Sequence, residues 1–273
     1  MSFIDTVSFL LTDTGDTPLP QWVYLSVIFL YGFGTIISLW FLVSLYKQWK
    51  LNKDVGDQLK PIILALTGLF LRMFIAVFNS IIILLTDNKL EIYFKSTFQL
   101  IPWVIVTWVL NSIITELIQV PQRRQYVIEA VKRRNTIGLW GLFIAFLLSF
   151  VGDLGDELAG TVTALIFLII PFVMFSSSST LKRESYENAS KLVKIRLQMV
   201  SLSVLAIAYS LILTPFIIII AIIGFYNYFV QVTNALVNVS LTLLAIYAFN
   251  GTFNTPKWMM RKHGLILEQE SLI

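Results

Sequence analysis

One arginine, Arg72, lies inside a long apolar segment, in the stretch TGLFLRMFIAVFNS that covers residues 67–80. A guanidinium carries a permanent positive charge and a planar fork of N–H donors, which fit a carboxylate or a phosphate group. Charged side chains within membrane segments are rare and face the protein interior or a water-filled cavity. Arg72 is therefore the strongest candidate for a group that binds an anionic ligand.

The last apolar segment carries polar residues at spacings of four, three, four and four, namely Asn227, Gln231, Asn234, Asn238 and Thr242. At about 100° per residue, these side chains fall within an arc of about 80° on one helix. A polar face this narrow is costly in lipid and is expected to face protein or water. The pattern therefore predicts an interior-facing row of amides.

Arg72 shares its helix face with Asn79 and Gly68, and the glycine lets a second helix approach closely. The helical rise from the expected inner ends of the segments places Arg72 and Asn238 roughly 16 Å deep and Asn111 roughly 14 Å deep. We expect these three residues to form one polar layer near the middle of the membrane. The predicted ligand-binding residues are Arg72, Asn79, Asn111, Gln231, Asn234 and Asn238.

Glu116 is the only acidic residue inside an apolar segment. The rise along the third segment places it roughly 6 Å from the inner boundary and about 10 Å below the level of Arg72. If Arg72 extends down to Glu116, the two form a structural pair that locks the second and third helices together. If it does not, the guanidinium receives the anionic group of a ligand. The sequence is compatible with both interpretations.

The composition excludes several kinds of chemistry. The chain has 273 residues, with no cysteine and a single histidine, His263. Disulfides, thiolate metal sites, bis-histidine haem ligation and multi-histidine zinc sites are therefore ruled out. We find no nucleophile–base pair and no cluster of metal ligands in the sequence. We therefore expect neither a metal nor another cofactor, and an enzyme is the least favoured class of function.

The hydropathy indicates a membrane protein, because the mean hydropathy is +0.79 and 57% of the residues are hydrophobic against 13% charged. We predict an all-α bundle of seven transmembrane helices. The expected spans are 22–46, 61–85, 98–120, 137–151, 158–175, 197–222 and 226–249. The last two segments nearly merge, so a six-helix bundle with one re-entrant segment is the alternative.

The basic residues indicate the orientation of the bundle. All but three of the 20 basic residues lie in the loops after the first, third and fifth segments and in the tail. By the positive-inside rule, the N-terminus is expected outside and the C-terminus inside. The chain then divides into an outer segment 1–21, a membrane domain 22–250 and a cytoplasmic tail 251–273. Trp258 among basic residues predicts a short amphipathic helix in that tail.

Two prolines lie within apolar segments, Pro171 in the fifth and Pro215 in the sixth. Each removes a helix hydrogen bond and is expected to kink its helix. Both prolines are candidate hinges, although kinks in helix bundles are more often fixed.

Seven helices, an outer N-terminus, short loops and a basic amphipathic segment after the last helix resemble the architecture of heptahelical receptors. Trp140, Pro171 and Pro215 are similar in placement to landmarks of rhodopsin-like receptors, and IYAFNGTF (246–253) resembles the end of their seventh helix. The chain departs from that family in having Arg72 where an acid is usual, no acid–arginine–aromatic triplet after the third helix, and no cysteines. The seventh segment also has no lysine for a retinal Schiff base. The resemblance therefore covers architecture alone and assigns no family.

These observations favour a membrane sensor or receptor that binds a small ligand in a polar pocket at mid-depth. A transporter or channel for a small polar or anionic solute is the second hypothesis, with Arg72 lining the pathway. A non-catalytic subunit of a membrane complex is the third. All three describe a multi-pass protein of the cell membrane. Its expected partners are the lipid bilayer, a small-molecule or anionic ligand, and a cytoplasmic or membrane protein, but not nucleic acid.

Overall fold

The computed structural model describes residues 21–51, 56–86, 95–117, 125–153, 157–187, 190–222 and 228–265, apart from some of their side chains. Within these ranges the chain forms eight α-helices. They are α1 (Gln21–Leu51), α2 (Gly56–Thr86), α3 (Lys95–Leu117), α4 (Gln125–Asp153), α5 (Glu157–Glu187), α6 (Lys191–Ile222), α7 (Tyr228–Phe253) and α8 (Lys257–Lys262). The expected outer segment 1–21 lies almost wholly outside the described residues.

Four of the described helices are long and apolar enough to cross a membrane. The qualifying stretches are Gln21–Leu51, Leu59–Ile82, Lys191–Leu213 and Val230–Phe253. The apolar stretch of α3, Leu100–Thr115, is shorter. The expectation of an all-α, multi-pass membrane protein is thus confirmed, whereas the number of seven spans and their orientation stay predictions.

Several helices extend beyond the apolar segments that predicted them. Helix α4 begins at Gln125 rather than near residue 137, and α5 continues to Glu187 rather than ending near residue 175. Helix α7 ends at Phe253, so the first residues assigned to the tail belong to it. The extensions contain basic and polar residues, which continue a helix as readily as apolar ones do. A hydropathy profile detects only the apolar part of a helix, so the polar turns at its ends fall outside the expected span.

The seven long helices form a ring in which each packs against the next. Helix α7 closes the ring against α1 and also contacts α2. The ends of α1 and α7 meet where Nδ2 of Asn254 donates to Oε1 of Gln48 at 3.1 Å. We call this side of the bundle, where α1 ends and α2 begins, the basic end, because Lys47, Lys50 and Lys60 lie there.

Helices α2 and α3 approach closely at Gly68, as its place beside Arg72 predicted. A Cβ atom on Gly68 would lie 2.8 Å from Cγ2 of Val106 and 3.2 Å from the backbone oxygen of Pro102. Both helices are well buried here, since Leu69 and Val106 are fully inaccessible. The missing side chain therefore brings the segment that includes Trp103 against α2.

The short helix α8 corresponds to the expected amphipathic helix. Met259 is buried, whereas Trp258 is 55% exposed and the basic side chains of Lys257, Arg261 and Lys262 face outward. Pro256 occupies the N-cap position, and no side chain caps the helix there.

We expect Gly68→Ala to lower the thermal unfolding midpoint of the purified protein. The new methyl group meets Val106 and the backbone of α3, and overpacking of this kind costs about 1–3 kcal/mol. Gly32→Ala in α1 is the matched control, because a Cβ at Gly32 has no heavy atom within 4 Å. The control gains roughly 0.8–1 kcal/mol of helix propensity, so its midpoint should not fall. Equal midpoints for the two variants would contradict the close approach of α2 and α3.

Candidate functional site

The side chain of Arg72 extends from α2 to α6 and α7. Its Nη2 donates one hydrogen bond to Oδ1 of Asn238, at 2.6 Å, and another to Oγ of Ser210, at 3.0 Å. Ser210 donates to the same Oδ1 atom, at 2.7 Å. The guanidinium therefore joins α2 to α6 through the hydroxyl of Ser210 and to α7 through the amide oxygen of Asn238.

The amide of Asn238 is oriented by both of its polar atoms. Its Oδ1 accepts the bonds from Arg72 and Ser210, while its Nδ2 donates to Oδ1 of Asn234 at 2.6 Å and to the backbone oxygen of Asn234 at 3.1 Å. An arginine only donates, so the amide must present its oxygen to it. Asn238 is buried, which shows that this part of the predicted amide row faces the protein interior.

Two aromatic residues complete the surroundings of the guanidinium. Cζ of Arg72 lies 4.3 Å from the ring centroid of Trp103 on α3, a cation–π contact. Tyr31 on α1 lies near the same guanidinium. Helix α1 comes near because Gly34 lacks a side chain, and a Cβ there would lie 3.2 Å from Cε of Met73. Five helices thus contribute to the environment of one charge.

The charge of Arg72 has only neutral partners among the described residues. These are an amide oxygen, a hydroxyl group and aromatic rings. The Nε atom is buried and has no hydrogen-bond partner. An arginine at the centre of a membrane helix costs about 2.5–3.5 kcal/mol, and dipoles offset this cost without neutralising the charge. The side chain of Glu116 lies outside the described residues, so the structural pair with Arg72 stays a prediction.

On α2 and α7, two more buried polar atoms have no hydrogen-bond partner among the described residues. They are Nδ2 of Asn79 on α2 and Oε1 of Gln231 on α7. Asn79 lies seven residues beyond Arg72, and Gln231 seven residues before Asn238, so both are about 10 Å farther from the basic end. An unsatisfied buried polar atom costs about 1–3 kcal/mol. A donor and an acceptor are therefore left unused on the side of Arg72 that faces away from the basic end.

Asn111 takes part in a different network, between α3 and α4. Its Nδ2 donates to Oγ1 of Thr136 at 3.0 Å, and its Oδ1 accepts from Nδ2 of Asn135 at 2.9 Å. Asn111 lies eight residues beyond Trp103 along α3, about 12 Å nearer the basic end than the contact with Arg72. The structure therefore brings together Arg72 and Asn238 of the predicted layer, with Asn234 of the predicted ligand-binding residues beside them, but not Asn111.

The reason for this difference lies in the helix ends. Depths along α2 were counted from Pro61, whereas the helix begins at Gly56, five residues earlier. This earlier start moves Arg72 away from the basic end relative to Asn111.

Helices α5 and α6 are joined on the basic-end side of Pro171 and Pro215. Oγ of Ser178 donates to the backbone oxygen of Ser201 at 2.8 Å, and Oγ of Ser201 donates to the backbone oxygen of Ser178 at 2.9 Å. Helix α5 is continuous through Pro171, which is buried, and α6 is continuous through residue 215. The side chain of Pro215 lies outside the described residues, and the hinge role of both prolines stays a prediction.

Sequence reasoning did not assign Ser210, Trp103 or Tyr31 to the site. Ser210 is a lone hydroxyl in an apolar run, and such residues commonly bond to the carbonyl four residues earlier in their own helix. Ser38 and Ser80 do so in this chain. Residue type therefore does not distinguish a serine that bridges helices from one that does not. The available signal was Gly68, one turn from Arg72, because it indicated that a neighbouring helix approaches the guanidinium closely.

Comparison of the chain with protein-family models, with curated proteins and with solved structures finds no significant match. The functional interpretation therefore rests on the geometry around Arg72.

We expect Asn238→Ala to lower the thermal unfolding midpoint, because it removes the amide oxygen to which both Arg72 Nη2 and the hydroxyl of Ser210 donate. Losing the partner of a buried donor costs about 1–3 kcal/mol, and more when the donor is charged. In an Arg72→Met background the same substitution should cost less, because only Ser210 then loses its acceptor. The double-mutant cycle measures this coupling. Equal costs in both backgrounds would mean that the bond from Arg72 to Asn238 contributes nothing.

Proposed function

We propose that the protein is a seven-helix membrane receptor or sensor, with its N-terminus outside, that binds a small anionic ligand at Arg72. The proposal rests on which partners the guanidinium of Arg72 has and which of its donors lacks one. Among the described residues, Arg72 is held through Nη2 by neutral partners, while its Nε is buried without a partner. A carboxylate or phosphate supplies both the missing charge and the missing acceptor.

The polar atoms of Asn79 and Gln231 have no partner among the described residues, and they favour entry of the ligand from the end of the bundle opposite the basic end. Asn79, Gln231 and Asn234 lie on that side of Arg72 along α2 and α7, and the first two carry buried polar atoms without a partner. Under the positive-inside orientation this is the outer side. An outer ligand reaching Arg72 would meet a donor on α2 and an acceptor on α7 on its way.

The residues on the other side of the site favour a receptor over a channel. Beyond Thr242, the next buried side chains of α7 towards the basic end are apolar, namely Ala245, Ile246, Ala248 and Phe249, and the buried polar residue Thr252 lies only at the end of the helix. Leu66 and Leu69 on α2 are likewise fully buried. This arrangement supports a site closed on the basic-end side, as a sensor of an outer ligand requires.

A transporter is the second candidate, and it is favoured by the same arginine together with the two prolines. A carrier would open the apolar layer in another conformation, with Pro171 and Pro215 as hinges. A non-catalytic subunit of a membrane complex stays the third.

We expect a small carboxylate or phosphate compound to raise the thermal unfolding midpoint of the full-length protein in phosphatidylcholine nanodiscs. A screen would compare such anions with uncharged amides and alcohols of similar size. At a hundredfold excess over Kd, binding stabilises by about 2.7 kcal/mol. Arg72→Met should abolish the shift. Arg134→Met is the matched control and should keep it, because Arg134 also bonds a hydroxyl on a neighbouring helix, Oγ1 of Thr180 at 2.9 Å.

Two results would contradict the receptor. If an anion stabilises wild type and Arg72→Met equally, Arg72 is not its site. If proteoliposomes accumulate the same anion, and Arg72→Ala or Asn238→Ala abolishes the flux, the protein is a transporter. Stoichiometric co-purification with other membrane chains, and instability without them, would instead identify a subunit.

A further inference from the structure

The start of α6 and the end of α8 meet at the basic end of the bundle. Nζ of Lys191 donates to the backbone oxygen of Gly264 at 3.4 Å. The chain turns away after α8 through Gly264, whose φ of 64° favours glycine. The amide of Leu265 bonds back to Met260 at 2.8 Å and that of Gly264 to Arg261 at 2.9 Å, which is a Schellman-type helix end.

Positive charge is concentrated at this junction. Lys191 and Lys194 come from α6, and Arg261 and Lys262 from α8. Partial burial and the nearby charges of Lys194, Lys262 and Lys191 lower the pKa of His263, which lies between the two helices. Among the described residues, the charged groups that act on this imidazole are all cationic. The junction is therefore a site of mutual repulsion that a bound anion would relieve.

Lys194 is held towards the junction by an aromatic ring. Its Nζ lies 5.5 Å from the ring centroid of Tyr186, near the end of α5. A cation–π contact of this kind orients an ammonium group without cancelling its charge. Lys194 therefore keeps its capacity to bind an anion.

An apolar surface adjoins the charges. Trp258 is 55% exposed, Leu265 43% and Leu192 41%. The indole Nε1 of Trp258 donates to the hydroxyl of Tyr247 at 3.0 Å, which fixes the ring. On the opposite side of α8, Met259 packs into a buried cluster with Ile195, Met199 and Ala248. Tryptophan prefers the boundary between acyl chains and headgroups, so α8 is positioned to lie along a bilayer surface.

We propose that this junction binds the phosphate-bearing headgroup of an anionic phospholipid, with Lys191, Lys194, Arg261 and Lys262 as the binding groups and Trp258 as the interfacial anchor. The four cations provide point charges that pair with phosphate oxygens. The exposed tryptophan and leucines beside them match the acyl part of the same molecule, which a soluble phosphate lacks. The proposal does not depend on the ligand of Arg72.

The test compares the binding of two lipids to the purified full-length protein by native mass spectrometry. Phosphatidylserine and phosphatidylcholine of equal chain length are added in equal amounts. Wild type should retain phosphatidylserine more strongly, by up to about a thousandfold, since each of the four basic residues contributes about 1 kcal/mol near an anionic lipid. Lys191→Gln/Lys194→Gln/Lys262→Gln should lose most of this preference. The smaller variant Arg261→Gln/Lys262→Gln, which changes exposed side chains only, should show an intermediate loss.

The matched control is Lys47→Gln/Lys50→Gln/Arg133→Gln, which removes the same charge from exposed positions elsewhere at the basic end. It should keep the preference. Equal losses in the two triple variants would show that overall charge, and not the junction, attracts the lipid. Absence of any preference in wild type would overturn the proposal. So would full competition by soluble phosphoserine at the lipid's own concentration, since this would identify a site for a free phosphate.

His263 provides an independent readout, because it is the only histidine of the chain. Its NMR titration in phosphatidylcholine nanodiscs should show a pKa below the ordinary value, since burial and three lysines disfavour the imidazolium. Its contribution to folding stability is therefore complete at neutral pH and declines as the pH falls through that lowered pKa. The triple lysine variant should raise this pKa towards the ordinary value, whereas the control triple should leave it unchanged. An unchanged pKa in the lysine variant would show that the three cations do not surround His263.

Discussion

A guanidinium in the interior of an apolar bundle cannot lose its charge, and the arrangement of helices around Arg72 follows from that constraint. Helices α2 and α6 are not neighbours in the ring, yet the two bonds from Nη2 connect them through Ser210 and Asn238. The ring face of Trp103 is available because Gly68 lets α3 approach. Each of these contacts supplies a dipole or a π face in place of the water that the cation has lost. Without the guanidinium, neither the bonds of Nη2 nor the contact with Trp103 would hold α2 against α6, α7 and α3.

The neutral partners among the described residues orient the guanidinium and leave its charge uncancelled. A carboxylate partner would cancel the charge and occupy the donors. The amide of Asn238 instead fixes the position of Nη2, and the amide is in turn fixed by Asn234. A cation that is already in place loses little conformational entropy when an anion arrives, and such preorganisation is a main source of affinity in small-ligand sites. The guanidinium of Arg72 is therefore held in place by its partners and still keeps its charge.

Much of this arrangement could be predicted from the sequence because it depends on periodicity. The interior position of Asn238 follows from amides that recur at helical spacing, and the approach of α3 follows from Gly68 beside Arg72. Relative depths were less predictable. They depend on where each helix begins, and polar residues extend helices past the hydropathic boundary, so Asn111 was placed beside Arg72 although it bonds to α4. The bridging role of Ser210 was not predictable either, because a serine hydroxyl serves its own helix or another one with equal ease.

Hydrogen bonds connect α6 to different neighbouring helices at two heights along its length, Ser201 and Ser210. The reciprocal serine bonds hold it to α5 at Ser201, and Ser210 holds it to Asn238 and Arg72 about 13 Å farther along. These two attachments restrain α6 against sliding and rotation. A ligand or a substitution that displaces the guanidinium acts directly on the second attachment and not on the first, so it changes the restraint on α6 at one height only.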